Sequence, residues 1–177
     1  MVRYVAFLRG INVSGQKIIK MEILRNTMNE ADFADVKTYI QSGNVLFNSG
    51  ILDSKRLITT IENLIENTFG FHTDVIIRKI SEIEAITNSL QINYLQSEDK
   101  KRYYITFLKN DFPEPLELPI FSKNRDVEII YQDKKDFISI SSECKGNYGF
   151  PNSFIEKLTG IPATTRNPNT LEKILNL

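Results

Sequence analysis

The sequence predicts an α+β protein built from two units, each with the element order βαββαβ and each an antiparallel sheet with helices on one face. Three observations carry this expectation. Short apolar and aromatic runs alternate with segments of helical period. Clusters of Gly, Asn, Ser and Pro punctuate them as turns. The order of elements in the first half then recurs in the second, without a residue-level repeat.

In the first half, Arg3 to Leu8 is an apolar and aromatic run that reads as a strand. After a glycine-containing loop, Ile23, Leu24 and Met28 recur at helical spacing, so a helix runs from about Lys20 to Glu30. Val36 to Ile40 and Asn44 to Asn48 are strands joined by "QSGN", a tight hairpin signal. Asp53 or Ser54 caps the next helix, which places Leu57, Ile58, Ile61, Leu64 and Ile65 on one face and stops at Gly70. Thr73 to Ile77 is the fourth strand.

Ser81 to Leu90 reads as a connecting helix capped by Ser81, and "NYLQSEDKKR" as a polar bridge between the halves. Tyr103 to Leu108 is the next strand, and "FPEPLELP" is too rich in proline for a long helix, leaving a short helix or loop at Pro115 to Phe121. Val127 to Tyr131 and Phe137 to Ser141 pair across "QDKKD". Asn152 or Ser153 caps a helix ended by Gly160, "PATTRN" is a short strand, and Thr170 begins a last helix. The expected organisation is a first unit at 1–80, a connecting helix and linker at 81–101, and a second unit with a C-terminal helix at 102–177.

Three separated stretches, "YVAFLRGINVSGQKIIKMEILR", "TYIQSGNVLF" and "GIPATTRNPNTLEKIL", are familiar together. They resemble a bacterial family of uncharacterised proteins, a domain of unknown function with RGINVGG, YIQSGNV and TTRNWNT motifs. Ser14 stands where that family usually has Gly, and Pro168 where it usually has Trp. The resemblance covers essentially the whole chain. It implies tandem ferredoxin-like units, and it implies no activity.

Topology gives the motifs a geometry. With right-handed crossovers, the first and second strands of a βαββαβ unit are parallel, the third lies antiparallel between them, and the fourth runs parallel to the third. The loop leaving strand one, the hairpin between strands two and three, and the loop leading into strand four then share one sheet edge. "RGINVSGQK", "QSGN" and "GFHT" are thereby gathered, making Arg9, Asn12, Lys17, Gln41, Asn44 and His72 neighbours.

Gly10 and Gly15 have the spacing of a P-loop, G-x-x-x-x-G-K-[ST]. Gln16 takes the lysine position, however, and Lys17 the hydroxyl position, so the groups that neutralise phosphate and hold magnesium are lost or displaced. Two readings stay open: a loop feeding a helix N-terminus, where N–H groups favour an anion with help from Arg9 and Lys17, or a long turn in which the glycines merely permit positive φ. "QSGN" is likewise either an ordinary turn or a donor of polar groups from Gln41, Ser42 and Asn44. Arg166, in "ATTRN", is either a strand residue or a fork for carboxylate or phosphate.

The remaining observations exclude more than they assign. Lys+Arg and Asp+Glu are equal at 22 each, which argues against a nonspecific nucleic-acid coat. "GNVLFNS" lacks the basic opening and paired aromatics of an RNA-recognition strand. The N-terminal run is broken by Arg9, so it does not read as a signal peptide, and no stretch approaches the roughly 18 apolar residues of a membrane span. A cytoplasmic location is expected. One histidine, His72, precludes a histidine metal cage and shows no partner for acid–base work; the one cysteine, Cys144, gains only Lys145 as a neighbour and has no histidine base beside it in sequence. No metal or cofactor is implied. The leading expectation is a binding module for a small anionic or nucleotide-like ligand at Arg9, Gly10, Asn12, Gly15, Lys17, Gln41, Ser42 and Asn44, with Arg166 as an outlying member. An RNA-binding role and a purely structural or protein-interaction role are the alternatives.

Overall fold

A computed structural model describes residues 1–89, 100–144 and 146–177. Leu90 at the end of the expected connecting helix, residues 93–99 of the polar bridge and Lys145 lie outside the described residues. The fold is a mixed α+β arrangement with two antiparallel sheets, and the chain divides into two compact units, Met1–Glu84 with Lys173–Leu177, and Ala85–Glu172.

The first unit runs β1 (Val2–Leu8), α1 (Met21–Glu30), β2 (Ala34–Tyr39), β3 (Asn44–Ser49), α2 (Ser54–Phe69) and β4 (Val75–Lys79), followed by α3 (Ile80–Ser89). Its sheet has the order β2-β3-β1-β4, every neighbouring pair antiparallel. Helix α2 shows why the local sequence is decisive. Asp53 accepts from the N–H groups of Lys55 at 2.9 Å and Arg56 at 3.4 Å, satisfying donors that a helix start leaves open. Gly70 ends it in the left-handed conformation, φ 78°, with its N–H on the Glu66 carbonyl. Leu57, Ile61 and Ile65, one per turn, are buried, whereas Ile58 is only partly so; the inward stripe is one residue off the expected centre. On α1, Leu24 and Met28 are buried and Ile23 faces outward. These helices cover Tyr4, Ala6, Leu8 and Phe47, with the Tyr4 and Phe47 rings stacked at 5.7 Å.

The second unit runs β5 (Lys101–Leu108), β6 (Ile120–Phe121), β7 (Val127–Gln132), β8 (Asp136–Cys144), β9 (Asn147–Tyr148), α4 (Pro151–Thr159), β10 (Ala163–Arg166) and α5 (Pro168–Leu175). Its sheet order is β10-β5-β8-β7-β6, with β9 paired to β8. Of the short helix or loop expected at Pro115 to Phe121, the structure has a loop that ends in β6. Pro113, Pro115 and Pro119 remove the donors a helix needs. Phe112 N–H instead bonds the Lys134 carbonyl at 2.7 Å and Leu116 N–H bonds Gln132 Oε1 at 3.0 Å, and β6 joins the edge of the sheet. Three expected caps also differ. Helix α3 starts at Ile80, before Ser81, and Glu82 Oε2 accepts from Lys79 N–H at 2.6 Å. Phe150, not Asn152 or Ser153, precedes α4, and Asn152 Oδ1 accepts from the Thr165 hydroxyl at 3.0 Å. Asn167, not Thr170, caps α5, its Oδ1 accepting from Thr170 N–H at 2.8 Å.

Both faces of the central strands are closed. Successive side chains of a strand point to opposite faces, and Tyr4 through Leu8 on β1 and Ile105 through Leu108 on β5 are all buried.

Candidate functional site

The first sheet order brings three loops together at one edge. Leu8 N–H bonds the Gly43 carbonyl at 2.8 Å, Arg9 N–H bonds the Asp74 carbonyl at 2.9 Å, and the Thr73 hydroxyl donates to the Arg9 carbonyl at 2.6 Å. The 9–17 loop is tightly wound. Gly10, Asn12, Ser14, Gly15 and Lys17 all have positive φ, and Gln16 N–H closes onto the Val13 carbonyl at 3.0 Å.

Two expected ligand-binding side chains are used by the fold. Asn12 donates from Nδ2 to the carbonyls of Ile19 at 3.1 Å and Gln41 at 2.8 Å, while its Oδ1 accepts from Ile19 N–H at 2.8 Å. Asn44 is fully buried and donates to the Tyr39 carbonyl at 3.2 Å and to Ser42 Oγ at 2.9 Å. Gly43 sits where no side chain fits: at φ 78°, a Cβ there would lie 2.8 Å from Leu8 Cβ and 2.9 Å from Ile11 Cδ1. Gly10 and Gly15 meet no such obstruction, so their role is conformational.

The loop cations are engaged too. Arg9 Nη1 lies 3.7 Å from Asp74 Oδ2, and Lys17 Nζ donates to the His72 carbonyl at 2.9 Å. His72 has partners that its sequence neighbourhood did not reveal. Its Nδ1 is 3.9 Å from Glu66 Oε2 and its Nε2 is 4.0 Å from Asp74 Oδ1. Ligand-type atoms of Glu62, His72 and Asp74 lie within 4.8 Å of one another, close enough to hold a metal ion. Arg9 already supplies a positive charge beside Asp74, and Glu62 Oε1 accepts from Val75 N–H at 2.9 Å. The arrangement is that of a charge-compensated loop anchor. Only folding brings α2 and the start of β4 together, and Glu66 lies six residues from His72.

Beside this edge opens a cleft of about 510 Å³, lined by Asn12, Ile18, Ile19, Lys20, Met21, Glu22, Thr38, Ile40 and Gln41. Lys20, at the N-cap of α1, makes no side-chain cap, and the first intrahelical bond is from Leu24 N–H to its carbonyl. The N–H groups of Met21, Glu22 and Ile23 therefore have no acceptor among the described residues. Arg25 holds the cleft wall, donating from Nη1 to Thr38 Oγ1 at 2.6 Å.

Arg166 lies on β10 in the second unit. Its Nη1 donates to Thr164 Oγ1 at 2.7 Å and to the Thr165 carbonyl at 2.9 Å. Burial lowers its pKa to about 10, which leaves it charged at neutral pH. Cys144 is a half-buried thiol at the end of β8.

An α+β protein with two antiparallel sheets and a loop-edge cleft is the class these features define. Residues 1–137 match the family described as "Protein of unknown function (DUF1697)", and the chain belongs to that family. The conserved bacterial protein SP0830 from Streptococcus pneumoniae has a solved structure of similar fold. The TM-score is 0.64 at 21% identity, over 99% of this chain and 97% of that one. No curated protein matches the chain. No helix among the described residues is long and apolar enough to cross a membrane.

Proposed function

We propose that the chain is a cytoplasmic binding module for a small anionic or nucleotide-like ligand, seated where the loop edge of the first unit meets the N-terminus of α1. In this reading the two units are tandem ferredoxin-like plaits, the second having β6 in place of its first helix. The observation that carries the functional reading is the uncapped first turn of α1 opening into the 510 Å³ cleft. Unpaired N–H groups at a helix start present partial positive charge, which an anion satisfies. Lys20 adds a full charge, Arg25 stands behind Thr38, and Gln41 offers a carboxamide from the hairpin. Asn12 serves this site by position, fixing the 9–17 loop against the hairpin. A nucleic-acid platform on a sheet face finds no support, because both faces of β1 and β5 are buried.

The test is a titration of the isotopically labelled protein with inorganic phosphate, followed through its backbone amides. The expected result is a saturable shift centred on Met21, Glu22, Ile23 and Gln41, abolished by Lys20→Glu. Glu22 also lies in that first turn and repels an anion, so Glu22→Gln should tighten binding by roughly two- to five-fold, the range of a charge at a helix terminus. If those amides stay unmoved at millimolar phosphate, the reading is wrong.

A further inference from the structure

We draw no further inference here: the strongest candidate, the side-chain cluster of Glu62, His72 and Asp74 between α2 and the start of β4, carries nothing, because Glu62 already accepts from Val75 N–H and Asp74 already faces Arg9, and no observation beyond the cluster itself points to a bound cation.

Discussion

The side-chain amide of Asn12 donates to the main-chain carbonyl of Gln41 at 2.8 Å, joining loops 29 residues apart. The same side chain both donates to and accepts from the main chain of Ile19. One carboxamide thus fixes the 9–17 loop, the approach to α1 and the hairpin as a single edge, and it does so from a residue with φ of 53°.

Asn12→Ala should therefore be costly. It removes three hydrogen bonds, each worth about 0.5–1.5 kcal/mol net, and puts alanine in a left-handed conformation. A loss of about 2–4 kcal/mol in urea unfolding is expected. A loss below about 0.5 kcal/mol would show that the latch is not holding the edge together.

Gly43→Ala and Gly15→Ala should separate by size of effect. Both residues have positive φ, but only at Gly43 does the added Cβ meet neighbours below 3.0 Å. Gly15→Ala should cost about 1 kcal/mol, and Gly43→Ala about 2–4 kcal/mol through strain plus forced displacement of Leu8 and Ile11. Thermal and urea denaturation of the two variants side by side would reveal the difference, and equal losses would contradict it.

The Arg9 and Asp74 side chains are 40% and 22% exposed at 3.7 Å, and water screens such a pair. Arg9→Ala should lower stability by no more than about 1 kcal/mol, with a double-mutant cycle against Asp74→Ala giving a coupling of similar size or less. A loss of several kcal/mol would identify Arg9 as a clamp tying the loop to β4.

Magnesium–ATP and magnesium–GTP should not bind tightly, because Gln16 and Lys17 stand in the lysine and hydroxyl positions of the P-loop spacing. Calorimetry settles this: sub-micromolar affinity that disappears on chelating magnesium would refute it.

Much of the fold was legible because it depends on residues close in sequence. The Asp53 cap, the Gly70 stop and the inward stripe of α2 involve partners within a few positions, and the gathered loop edge follows from element order and crossover handedness. Errors arose where several local answers were equally good. Asn152 and Ser153 are acceptable cap residues, but α4 already starts at Pro151, so both lie inside the helix, and Asn152 is taken by Thr165. The proline-rich segment after β5 forbade a regular helix, yet nothing local indicated that Ile120 and Phe121 would pair with β7.

By itself, the sequence determined the alternation of strands and helices, the family motifs, the departure from a P-loop and the set of residues available at the loop edge. Only the tertiary structure decided what those residues do. It committed Asn12 and Asn44 to main-chain partners, set Arg9 beside Asp74 and His72 between two carboxylates, and left Ile18, Ile40 and the first turn of α1 facing an open cleft. The physical reason is that a polar side chain on a loop takes whichever partner the folded chain brings within hydrogen-bonding distance. That partner is set by long-range geometry, whereas strand and helix formation is set largely by neighbours along the chain.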